Sequence, residues 1–190
     1  MTYKQATTAA IILGVTIAAT SILGVANAHN HEGEKPAMPG INVAALTLPE
    51  ITRGLDAGQF NSQDLTRAYL NRIDTIDRAG PTLNAVIAVN SSAMKLAKKS
   101  DMRRATGEAL SPLDGVPFLL KDNIESKDRM PTTAGSTALV DNMTGRDSPL
   151  VARPRAPGPI ILGKTHLSQW AHFPPLHPVS GWSRVGGPWK

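Results

Sequence analysis

SQDLTRAYLNRIDTIDRAGPTLNAVIAVNSSAMKLAKKSDMRRATGEALSPLDGVPFLL, residues 62–120, is the stretch whose periodicities decide the fold class. Leu65, Ala68, Tyr69, Arg72, Ile73 and Ile76 carry the 3.6-residue period of an amphipathic helix. Ser62 precedes that helix, Asp64 in its first turn suits the helix dipole, and Gly80-Pro81 closes it. Leu83 to Val89 (LNAVIAV) reads as a buried strand. Ser91 or Ser92 then caps a second helix to about Arg104, whose Lys95, Lys98, Lys99, Arg103 and Arg104 read as a solvated basic face. Gly107 and Ser111-Pro112 lead into a second strand signal, Val116 to Leu120. Helix, strand, helix, strand is an α/β rhythm, and no internal repeat is visible.

Upstream, Lys4 is the only charge before His29, and residues 9–25 (AAIILGVTIAATSILGV) are nearly all apolar. Ala26-Asn27-Ala28 follows, the small-residue pattern of a signal-peptidase site. Residues 1–28 are therefore predicted to be a secretory signal peptide cleaved after Ala28, which implies a periplasmic or secreted chain. The alternative is an uncleaved anchor, but the apolar run is at the short limit for spanning a bilayer, and no stable membrane insertion is expected after cleavage. Residues 29–47, rich in Pro, Gly and polar groups, read as a linker, and His29 and His31 within it as solvated. Residues 48–190 are left as the partial catalytic-type domain.

Composition excludes several classes. The chain has 190 residues, and its 41% hydrophobic and 18% charged content is neither disordered nor collagen-like. With no Cys, there is no disulfide framework, Cys-based zinc site or thiol nucleophile, which fits an oxidising compartment. A net charge of +5 is too small and scattered for a nucleic-acid surface, and no nucleic-acid partner is expected.

The last quarter departs from the rhythm. Residues 146–190 hold 8 of the 15 Pro and all three Trp. Pro154 and Pro157 should break or kink any helix over SPLVARPRAPG, residues 148–158, since an interior proline costs about 3 kcal/mol. Ile160 to Leu162 is a short strand candidate. Residues 158–165, GPIILGKT, match the phosphate-loop pattern, but the strand that should precede such a loop is absent. Pro159 removes one N–H, and Ile160-Ile161-Leu162 favour burial, so nucleotide binding is rejected. His166, His172 and His177 lack metal-ligand spacing, and no metal or other cofactor is expected. Asn90-Ser91-Ser92 and Asn142-Met143-Thr144 are glycosylation sequons, relevant only in a eukaryotic secretory route.

The chemistry centres on residues 113–136, LDGVPFLLKDNIESKDRMPTTAGS. A Lys at the end of an apolar strand is unusual, because Lys is rarely buried without a partner. Desolvation favours the neutral amine, the form a Lys general base requires. Equally, Lys121 could snorkel to the surface beside Asp122 or Asp128.

LDGVPFLLKDNI, MPTTAGS, IILGKTHLSQWAHF and SGWSRVGG together resemble the amidase signature family, from about residue 48 to residue 187. The resemblance implies the N-terminal part of a mixed β-sheet flanked by helices, incomplete here. It implies hydrolysis of carbon–nitrogen amide bonds through a Ser–cis-Ser–Lys triad, with Lys121 as its lysine and backbone N–H groups holding the oxyanion. A completed version would take a small-molecule or peptide amide. The family's catalytic serines belong to a Gly/Ser-rich block that these residues do not contain. Ser136, Ser168, Ser180 and Ser183 do not stand in that motif, and none is assigned. The chain alone is therefore expected to be inactive. The Pro-rich departures and the terminal GGPWK read as a degraded or frameshifted region. The other functional class is a non-catalytic exported binding or interaction module, using the basic helix or the Trp-containing tail. Strands without their sheet neighbours also predict a marginal, aggregation-prone fragment.

Overall fold

A computed structural model describes residues 41–172 and 180–190. The predicted signal peptide, His29, His31, His177 and the FPPLHPV segment (173–179) lie outside the described residues, as does the His172 side chain.

Two helices open the described chain. α1 spans Leu48–Asp56. Its start is fixed by Glu50, whose carboxylate accepts from the Thr47 backbone N–H at 2.7 Å. α2 spans Ser62–Arg72, and its cap is Asn61 rather than Ser62. Asn61 Oδ1 accepts from Asp64 N–H at 2.7 Å, while the Asp64 carboxylate accepts from Asn61 N–H at 3.4 Å. Ser62 is fully buried, and its hydroxyl donates to the Gly115 carbonyl. After Arg72 the helix widens into a π-turn, Ile73–Arg78. Buried Asp77 accepts from the N–H groups of Ala85 and Val86 and so sets the entry to β1 (Val86–Val89). α3, Ala93–Ala105, follows directly. Ser92 is its N-cap residue, but its hydroxyl makes no cap bond; the Asn90 side chain instead accepts from Ser92 N–H.

β2 (Pro117–Lys121) and β3 (Ile160–Thr165) complete a three-stranded mixed sheet in the order β1-β3-β2. β3 runs antiparallel to β1 and parallel to β2. The phosphate-loop-like pattern is thus largely the central strand, its backbone engaged in ladders on both sides. One irregularity matters. Phe118 pairs with Ile161 and Leu119 with Gly163, so β3 carries one extra residue, Leu162, against β2. An inserted residue reverses the facing of everything beyond it.

Ile160 and Leu162 pack with Ile73, Ala93 and Ala97 under the helices, whereas Ile161 packs with Leu120, Met130 and Val151 on the other face. A further cluster joins Val43, Ile51, Leu55, Leu65 and Val116. Val43 is buried, so packing begins inside the stretch that composition marks as linker.

Prolines do not prevent a helix after Ser148. α4 spans Pro149–Arg155 with Pro154 inside it and buries Val151. Pro149 occupies the first turn, where its missing N–H has no helical partner to lose. The carbonyl that Pro154 cannot serve belongs to Leu150, a residue that is 67% exposed. Residues 180–190 form a hairpin of β4 (Trp182–Ser183) and β5 (Gly187–Pro188). The Asn84 amide holds it by donating to the carbonyls of Gly186 and Pro188.

Candidate active site

β2 delivers Lys121 to a corner built from the turn after it and the loop 130–136. The Ile124 N–H donates to the Lys121 carbonyl at 2.9 Å, closing the turn. Asp122 N–H donates to Thr165 O at 3.0 Å, tying the turn to β3. The Lys121 side chain is exposed and makes no side-chain hydrogen bond or ion pair among the described residues. The desolvation that the apolar run suggests for Lys121 is therefore not present there.

It is present at Lys164. Lys164 is the largest of the fully buried side chains. Because Leu162 is inserted in β3, Lys164 sits opposite Ala88 and Leu120, residues of the face that packs Met130 and Val151. Its Nζ donates to Ile124 O and to Thr132 Oγ1, both at 2.7 Å. Burial lowers the pKa of this amine, against the opposing pull of the Asp122, Asp128 and Glu125 charges.

Asp122 is equally buried. Its Oδ2 accepts from the Thr133 hydroxyl, which in turn accepts from Gly135 N–H at 2.9 Å. Oδ1 has no hydrogen-bond partner among the described residues. Burial raises the Asp122 pKa, outweighing the Thr133 hydrogen bond and the Lys164 charge. The loop beyond is tightly wound: Ala134 and Gly135 both have positive φ, +49° and +75°. A Cβ on Gly135 would lie 2.7 Å from Ser183 Cβ, so only glycine fits where the hairpin crosses the loop.

None of the four unassigned serines is hydrogen-bonded to Lys121. Ser136, Ser168 and Ser183 are buried and Ser180 is exposed. Ser183 Oγ lies 2.5 Å from His166 Nε2 and accepts from Gly186 N–H. His166 Nδ1 meets the Asn84 carbonyl, and its ring lies 4.4 Å from that of Trp189, so this histidine packs the hairpin. Among the described residues no group of three His, Cys, Asp or Glu could hold a metal ion, and no helix is long and apolar enough to cross a membrane. Both sequon asparagines are engaged: Asn90 donates to Ile161 O and Asn142 to Thr132 O.

The basic face of α3 is not wholly solvated. Arg103 grips the fully buried Asp114 carboxylate with Nε at 2.8 Å and Nη2 at 2.5 Å. Arg104 donates to Asp114 O and pairs with Asp56. Charge alone gives no sign of this, since Asp114 lies some ten residues on, beyond a Gly/Pro-containing loop, and Asp56 lies 48 residues before Arg104.

Comparison with known proteins places this chain in a family. The profile of the family described as Amidase matches residues 64–183. The chain belongs to the amidase family. It is 44% identical to the peptide amidase from Stenotrophomonas maltophilia, with a TM-score of 0.73 over 76% of this chain and 29% of that one. An amidase family protein from Bacillus anthracis superposes with a TM-score of 0.72 at 35% identity, covering 77% of this chain and 29% of that one. An Arabidopsis thaliana protein named "Probable amidase" is 38% identical over 147 residues, 76% of this chain and 28% of its own length. The described residues thus form an incomplete version of the mixed α/β amidase signature fold, spanning less than a third of the length of these relatives.

Proposed function

We propose that this chain carries the lysine of an exported amidase that hydrolyses carbon–nitrogen bonds of small-molecule or peptide amides through a Ser–cis-Ser–Lys triad. Lys121 is that lysine. The observation that carries the reading is its placement: β2 ends on Lys121, the turn behind it is pinned to β3, and its amine is left without a partner among the described residues. An exposed amine on a fixed backbone can meet a serine hydroxyl brought by another segment. Lys121 then takes the proton of the bridging serine, which activates the nucleophilic serine, and the proton returns to the leaving amine. Those two serines are not among the 190 residues, so the chain by itself forms no acyl-enzyme. The peptide-amidase relative supports an amidated peptide as the first substrate to try.

A chimera joining residues 29–190 to the remaining part of the Stenotrophomonas maltophilia peptide amidase tests this, with ammonia release from an amidated dipeptide as the readout. The chimera should hydrolyse it, and Lys121→Met should lower kcat by at least about 10²–10⁴-fold. The 190-residue chain should release none. Hydrolysis by that chain alone, or full activity in Lys121→Met, would refute the assignment.

A further inference from the structure

Lys164 is too deeply buried to touch a substrate, and a buried ammonium is costly where an apolar side chain would pack as well. Yet every bond it makes leads back to the corner that carries Lys121. One hydrogen goes to Ile124 O, the residue whose N–H closes the turn on the Lys121 carbonyl. Another goes to Thr132 Oγ1, at the root of the loop whose Thr133 hydroxyl bonds the Asp122 carboxylate. Asp122 follows Lys121 directly, supplies the opposing buried charge, and is tied through its N–H to Thr165, the neighbour of Lys164.

We infer that Lys164 and Asp122 form a buried ionic clamp whose task is to position Lys121, fixing the turn 121–124 and the loop 130–136 against each other. This rests on the reading of Lys121 as the triad lysine. Lys164 is a positioning residue, not a catalytic one. A merely structural pair could be replaced by uncharged groups of similar shape with its surroundings intact. A clamp could not, because Ile124 O and Thr132 Oγ1 would lose the donor that holds them.

The test is amide hydrogen exchange on the 190-residue chain carrying Lys164→Met, Asp122→Asn or both. Lys164→Met alone should lower stability throughout, since it strands the Asp122 carboxylate. The double variant should recover the parental urea midpoint, because no lone buried charge remains. Even so, its Ile124 and Gly135 amides should exchange at least about tenfold faster, the loss of one charge-assisted hydrogen bond, while amides of α2 and α3 keep their parental rates. In the chimera the double variant should lose kcat with KM unchanged. Parental exchange at Ile124 and Gly135 in a stably folded double variant would overturn the clamp, as would parental kcat. Failure of the triad reading shows differently: Lys121→Met would stay active while the exchange pattern stood.

Discussion

Asp114 shows how much one side chain can hold here. Its carboxylate is fully buried, takes two bonds from Arg103 and accepts from Leu110 N–H. Burial alone would raise its pKa, but the Arg103 and Leu110 hydrogen bonds outweigh this and hold it below the ordinary carboxylate range. The stabilisation is therefore complete above the unfolded value of about 3.9 and is lost as pH falls through the lower folded value. Asp114→Asn should cost about 1.5–3 kcal/mol at pH 7, read from urea unfolding. That cost should shrink as pH falls below about 4. A cost independent of pH would show that shape, not charge, is what matters at position 114. At this scale the sequence is only partly legible. An apolar run ending in Lys occurs twice, as PFLLK and as IILGK, and the residues themselves do not say which amine is buried. The buried amine belongs to the second, because a register irregularity that no residue pattern announces turns Lys164 inward.

Among elements, β3 is the one on which the others depend, since it separates β1 from β2 and feeds both faces. Gly163 is its tightest point. A Cβ there would lie 2.4 Å from the Ala88 carbonyl oxygen, an atom of the neighbouring strand that cannot swing aside. Gly163→Ala should therefore destabilise the fold by about 1–3 kcal/mol, measurable as a lower thermal midpoint, and a neutral result would show that β1 is free to shift. Periodicity foretold α2, α3, β1 and β2, whose apolar residues repeat at clean spacings. It failed for α4, where Pro154 and Pro157 argue against a helix but Pro157 falls beyond its last residue and Pro154 stands in its final turn, with Pro149 opening the first. It also left α1 unannounced, although Leu48, Ile51 and Leu55 stand at helical spacing, and the hairpin 182–188, whose strands are too short to show a period.

Across the whole molecule, β2 is an edge: its one partner among the described residues is β3, and Leu119 in its middle is 38% exposed. Tyr69, Ile73, Ile76, Leu83, Leu119 and Leu162 line a half-open apolar groove beside that edge. An exposed strand flanked by apolar surface recruits other chains. Purified residues 29–190 should self-associate in light scattering at micromolar concentration, and Leu119→Lys should suppress this by placing a charge on the edge. A monomeric parent with a cooperative melt would contradict that expectation. The amidase fold class was legible because the motifs around Lys121 and Lys164 are carried by contiguous residues. What each lysine does was not, since it depends on neighbours dozens of positions away, such as Ile124 and Thr132 for Lys164.

The extra residue in β3 also bears on how this gene can drift. Between Ile160 and Gly163 the letters can change among aliphatics, but their number cannot. Losing a single codon there would swing the ammonium of Lys164 toward Ile73 and Ala97 and leave Ile124 and Thr132 with no donor. Descendants should therefore vary in spelling across this strand and agree in its length.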